Sequence, residues 1–164
     1  MNDLQRYLSD MGKVIINKPR NIYQSGQKVL DILTIYQLAQ LGDDVEKSVT
    51  GYISGELEIA DMDLSIIYGN ILQNAMDELK KEGDNKYIKI EFMQGDYFWG
   101  IEVKNSLSYR SKTKKSITKS EKNDLRNHGF GLRNIDDAIK KYNGSLQIKK
   151  EQGTFIATLM FPNK

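Results

Sequence analysis

The chain has 164 residues, 39% hydrophobic and 28% charged, which is enough for one sizeable core and ordinary for a globular domain. It has no cysteine and a single histidine, His128, which excludes disulfides, thiolate metal sites and a His-rich zinc centre. The formal net charge is only +2, so any basic character that matters has to be local; with no apolar run of membrane-spanning length and no signal-peptide core, a cytosolic location is expected.

Leu4, Tyr7, Leu8, Met11 and Ile15 recur at helical spacing up to Lys18-Pro19, where a helix must stop, so this first segment reads as an appendage. A second helix is expected from about Ser25 to Leu41, burying Val29, Ile32, Leu33, Tyr36 and Ala39, with Gly42 as its C-terminal cap. Val45 to Ile53 and a short stretch near Glu58 read as strands.

The segment Asp63 to Lys80, DLSIIYGNILQNAMDELK, predicts an amphipathic helix capped by Asp63, with Leu64, Ile67, Tyr68, Ile71, Leu72, Ala75, Met76 and Leu79 on its buried side. Core packing does not explain Asn70, Asn74 and Asp77. At about 100° per residue they fall within roughly 60° of arc at the edge of the buried face. Asn is a middling helix former, so two of them one turn apart suggest oxygens aimed at a cation or at polar ligand groups; two satisfied boundary amides are the plainer reading.

Beyond it, Ile88, Ile90 and Phe92 alternate with polar residues, Gly95-Asp96 turns the chain, and Trp99, Ile101 and Val103 alternate again, which predicts a hairpin. Tyr109 to Arg126 follows without clear periodicity. It holds seven basic residues (Arg110, Lys112, Lys114, Lys115, Lys119, Lys122, Arg126) against two acidic ones (Glu121, Asp124), a composition suited to phosphate or to a solvated loop. His128-Gly129-Phe130-Gly131-Leu132 then puts two glycines at a helix start, where free backbone N–H groups and the helix dipole favour an anion. The helix from Gly131 to Tyr142 turns Leu132, Ile135, Ile139 and Tyr142 inward and ends at Asn143-Gly144. Leu146 and Ile148, then Phe155, Ala157, Leu159 and Phe161, make a closing hairpin around Glu151-Gln152-Gly153. Helices with mostly antiparallel strands imply a two-layer α+β sandwich.

The ordered set of N-x-x-x-N-A-x-D/E on a helix, a hairpin ending in an amide, a basic lid, H-G-x-G-L and a final G-T-F resembles the catalytic and ATP-binding domain of sensor histidine kinases in the GHKL ATPase superfamily. Gly69 to Leu79 and Thr118 to Leu132 look closest to the Agr-like, peptide quorum-sensing branch, and Ser25 to Leu33 resembles the entry to the catalytic domain there. The resemblance implies a Bergerat-type ATP-binding fold, helices packed on one mixed, mostly antiparallel sheet. Residues 1–22 would be the tail of the upstream dimerisation helices and 23–164 the catalytic domain.

Carried over by position, the resemblance implies that Asn74 coordinates the Mg²⁺ bridging the ATP phosphates, with Asn70 assisting. Asp77 would hold a metal-linked water or a lid cation. Gly129 and Gly131 would admit the phosphates to the backbone, with Lys119 and Arg126 or His128 closing over them. Leu132 would line the base pocket and Thr154 would sit beneath the adenine, although strand propensity alone also accounts for a Thr there. The superfamily's D-x-G-x-G box is absent; Asn105 stands where its Asp would be, and its neutral oxygen should accept from the adenine amino group more weakly than a carboxylate. The implied activity is that of an ATP-dependent protein-histidine kinase, passing the γ-phosphoryl to a histidine on a dimerisation helix outside this sequence for relay to a response regulator. This would be the cytosolic domain of a membrane-bound sensor. A nucleotide-gated binding module without phosphotransfer is the alternative, and the basic segment lacks the aromatic or Arg-rich readout of a nucleic-acid binder.

Overall fold

The computed structural model describes residues 23–109 and 130–163, excluding the side chains of 130–134; the helix expected around Leu4 to Ile15 lies outside these residues. The chain enters through a turn, because Gly26 takes φ +87° and Asp31 Oδ1 accepts the Ser25 N–H at 2.7 Å. Helix α1 (Lys28–Leu38) therefore begins at Lys28 instead of Ser25. Its exit tightens into bonds from Gln40 N to Gln37 O and Leu41 N to Leu38 O, so Gly42 is not the cap; its carbonyl accepts from Lys47 Nζ at 2.8 Å. The buried side is rotated from the expected one. Leu30, Thr34 and Gln37 lie inside with Val29 and Leu33, while Ile32, Tyr36 and Ala39 are half-buried. Thr34 earns its place by a 2.7 Å bond between its hydroxyl and that of the fully buried Tyr68, whose ionisation burial pushes far up.

Strand β1 (Glu46–Gly51) ends at Gly51, where φ is +85° and any Cβ would run into the Phe92 carbonyl. The strand expected near Glu58 does not form. Residues 52–60 are irregular, pinned by Ile53 and Ile59 in the core and by Gln27 Nε2, which donates to Ile53 O at 3.0 Å and Gly55 O at 2.8 Å.

Helix α2 (Asp61–Leu79) buries the eight expected residues. Its start differs from expectation: Ala60 is the N-cap and makes no side-chain cap, while Asp63 lies inside the first turn. The Tyr142 hydroxyl serves both, accepting the Ala60 N–H at 3.2 Å and donating to Asp63 Oδ2 at 2.5 Å, and Lys141 Nζ donates to the same oxygen at 2.7 Å.

Strands β2 (Tyr87–Gln94) and β3 (Phe98–Ser106) form the first hairpin, helix α3 (Phe130–Lys141) follows, and β4 (Ser145–Glu151) and β5 (Thr154–Pro162) form the second. Asn143, at φ 54°, takes the left-handed position after α3, and Gly144 N reaches back to Ile139 O at 2.9 Å. Gln152 and Gly153, both at positive φ, make the tight turn of the second hairpin.

The sheet order is β1-β2-β3-β5-β4, with β1 parallel to β2 and the other neighbours antiparallel. Register pairs Ile90 with Val103 and Val103 with Ala157, and Phe92 with Ile101 and Ile101 with Leu159, so these apolar residues share the face on which the helices pack. α2 crosses that face, touching α1, α3 and β3. The result is the expected two-layer α+β sandwich.

Candidate functional site

Asn70 and Asn74 lie one turn apart on α2, both half-buried. The Asn70 Nδ2 donates to Ile66 O, one turn back, at 2.7 Å, which orients the amide and leaves its oxygen for another partner. The Asn74 side chain makes no hydrogen bond among the described residues. These two amides suit a hard cation that takes its remaining ligands from phosphate and water, as Mg²⁺ does. No group of three or more His, Cys, Asp or Glu among the described residues could hold a metal by itself.

Asn105 sits near the end of β3, 1% exposed. It pairs with Ile88 on β2 and Phe155 on β5, and strand alternation turns its side chain toward the helix layer. Nδ2 donates to Ser106 O at 3.1 Å, and Oδ1 is a buried polar atom without a partner among the described residues. A buried amide oxygen left as a pure acceptor is suited to a ligand N–H, and the purine that offers one at its six-position is adenine.

Two expected residues fall elsewhere. Asp77 is exposed on α2 and occupied by local partners, accepting from Gln73 Nε2 at 2.8 Å with Lys80 Nζ 3.9 Å away. Thr154 pairs in register with Ser106, hence on the sheet face opposite Asn105, and its hydroxyl meets that of Tyr87. The structure thus does not bring Thr154 beneath a base held by Asn105; the one-residue offset in a strand of period two turns it outward. Lys119, Arg126, His128 and Gly129 lie outside the described residues, and of Gly131 and Leu132 only the helical backbone is described.

A cavity of about 750 Å³ opens at the other end of the sheet, lined in part by Trp99, Phe161 and Tyr142. Trp99 precedes Asn105 by six strand positions, about 20 Å. Its lining sets Glu56, Glu58 and Asp96 against Lys141, the wrong balance of charge for a triphosphate. Sequence periodicity also missed Glu78, whose Oε1 accepts the Ser108 N–H at 2.8 Å and so joins the end of α2 to the segment leaving β3. Glu78 follows Asn74 by one helical turn, but that spacing does not reveal a backbone partner.

The sandwich and its helix-borne amides place the chain in a class of α+β domains that solved structures also display. The histidine kinase domain of the Erythrobacter litoralis EL346 blue-light activated histidine kinase superposes with a TM-score of 0.62 at 12% identity, over 99% of this chain and 76% of that one. The catalytic domain of histidine kinase ThkA gives 0.57 at 16% identity over 98% and 92%, and Acinetobacter baumannii histidine kinase AdeS 0.55 at 14% over 96% and 76%. At these identities the likeness is one of fold. A comparison with curated proteins returns no match. The chain belongs to the GHKL domain family, whose model matches residues 59–162, from the start of α2 through β5.

Proposed function

We propose that this GHKL domain is the ATP-binding catalytic domain of a sensor histidine kinase, residues 23–164 forming that domain and 1–22 the tail of a preceding dimerisation helix. The observation that carries the reading is the buried oxygen of Asn105, without a partner among the described residues and facing the helix layer of a GHKL fold. It supports recognition of an adenine amino group by a neutral acceptor in a sequence that lacks the D-x-G-x-G box.

Asn74, with Asn70, would hold Mg²⁺, which when bound would neutralise phosphate charge. The chain's own contribution is positioning: Asn105 fixes the base, the helix-start glycines Gly129 and Gly131 admit the phosphates to backbone N–H groups, and Lys119 with Arg126 or His128 supplies positive charge. The γ-phosphoryl then passes to a histidine on a dimerisation helix outside the 164 residues and on to a response regulator, in a sensor of the Agr-like branch. His128 is the sequence's only histidine and in this reading serves the phosphates, so the chain alone should not carry the phosphoryl group. Leu132 completes the base pocket in this reading. Among the described residues no helix is long and apolar enough to cross a membrane.

Titration calorimetry with ATP and GTP, each with Mg²⁺ and with chelator, tests the proposal. It requires ATP binding that Mg²⁺ strengthens and that GTP does not match; equal affinity for the two nucleotides would remove base reading at Asn105.

A further inference from the structure

The amide stripe of α2 continues past Asn74. Glu78 lies one turn further along the same side, with its side chain only 12% exposed. One carboxylate oxygen accepts the Ser108 backbone N–H at 2.8 Å, and the other pairs with the exposed Lys81 at 2.6 Å. Ser108 follows Asn105 by three residues. The segment leaving β3 is held from two further sides, by Leu107 N donating to Gly153 O at 2.8 Å and Tyr109 N donating to Glu82 O at 3.2 Å. Of these three bonds, the one from Glu78 starts on the helix that carries Asn70 and Asn74.

We infer that Glu78 is a positioning residue that sets the spacing between the metal-facing amides of α2 and the base-reading amide of β3, an inference that rests on the nucleotide reading above. A helix and a strand end in different layers of the sandwich can slide by an ångström without unfolding, and that much misplacement is enough to impair a site that must grip both ends of one ligand. A carboxylate accepting a backbone N–H is charge-assisted and about twice as strong as a neutral pair, so Glu78 resists such sliding better than apolar packing alone. Lys81, being exposed, adds little to this bond.

The consequence distinguishes positioning from general support. Mg-ATP spans both halves of the site, whereas adenosine touches only the Asn105 half. Glu78→Ala should weaken Mg-ATP about tenfold and adenosine less than about twofold, the size expected when one charge-assisted hydrogen bond no longer holds the two halves in place. Glu78→Gln keeps an acceptor oxygen in reach of Ser108 and should restore most of the affinity. Lys81→Ala should leave both ligands unchanged.

The experiment is titration of the whole chain and these variants with Mg-ATP and with adenosine, alongside thermal melts. Glu78→Asp, which keeps the charge but shortens its reach by one methylene, should show the same contrast and replaces the alanine variant if that one does not fold. Equal weakening of both ligands, or a lowered melting temperature with Mg-ATP affinity unchanged, would assign Glu78 to stability alone and overturn the inference. A parent chain that binds no Mg-ATP would instead remove the nucleotide reading, and this inference with it.

Discussion

Replacing Asn105 by Leu separates stability from binding, because the two should move in opposite directions. The native side chain is 1% exposed with an oxygen that finds no partner among the described residues, while its nitrogen bonds Ser106 O. An orphaned buried acceptor costs about 1–3 kcal/mol, and an ordinary hydrogen bond contributes about 0.5–1.5 kcal/mol. Asn105→Leu removes both with little change of volume, so the free protein should gain about 0–2 kcal/mol, visible as a rise in melting temperature of up to about 4–8 °C. ATP affinity should fall by about 1.5 kcal/mol, roughly tenfold, because the adenine amino group loses its acceptor. GTP, which presents an oxygen at that position, should bind no worse than before. Calorimetry with both nucleotides and melts without ligand make the measurement. A variant that melts lower yet binds ATP as the parent does would show that Asn105 is a structural amide and refute the base-reading argument.

Asn74→Ala should abolish the part of ATP affinity that depends on Mg²⁺, leaving binding in chelator unchanged, and should stabilise the free helix by about 0.5 kcal/mol because Ala is the better helix former at a position without a hydrogen bond; unaltered Mg²⁺ dependence in calorimetry would take Asn74 out of the metal site. Asp63 is held below the usual carboxylate value chiefly by Lys141 and next by the Tyr142 hydroxyl. Its contribution is therefore complete above the unfolded pKa of about 4 and lost as pH falls through the lower native value. Asp63→Asn should lower the urea midpoint at pH 7 and flatten its decline toward pH 3, and a decline as steep as the parent's would show that this carboxylate is not coupled to folding. Gly51→Ala should destabilise by several kcal/mol in urea unfolding, since a Cβ there would run into the Phe92 carbonyl at φ +85°, whereas Gly69→Ala, with open space around the new methyl, should stabilise by about 1 kcal/mol.

Apolar periodicity located the long helix, its eight buried residues and both hairpins, because one side of each element faces one core. Boundaries failed where polar contacts override pattern. The Asp31 carboxylate and Gly26 delay α1, the segment around Glu58 is anchored by Gln27 instead of a strand neighbour, and Asp63 answers Lys141 and Tyr142, which are distant in sequence. In the candidate site, Asn70 and Asn74 stand out in the sequence as amides at the edge of an apolar helical face, whereas Asn105 is picked out only by the resemblance to histidine kinase catalytic domains. Thr154 was misplaced because the face of a strand residue depends on register, which the hairpin turn at Gln152-Gly153 sets. The Glu78 bond to Ser108 joins a helix to a backbone N–H thirty residues on, and backbone partners leave no mark in a side-chain pattern.

The proposed reaction is the binding of Mg-ATP by this domain and delivery of the γ-phosphoryl to a histidine outside the chain. Labelling with ATP carrying radioactive γ-phosphate, with and without a separately produced dimerisation segment of the same protein that bears a histidine, tests it most directly. The chain alone should take no stable label, because transfer needs a histidine presented in line by the segment. With the segment added, label should appear on the segment's histidine, slowly, since the untethered reaction is bimolecular and forfeits effective concentration. Strong incorporation at His128 of the isolated chain, or Mg-ATP binding with no transfer to the segment, would contradict it, and the second result would identify a nucleotide-gated binding module instead.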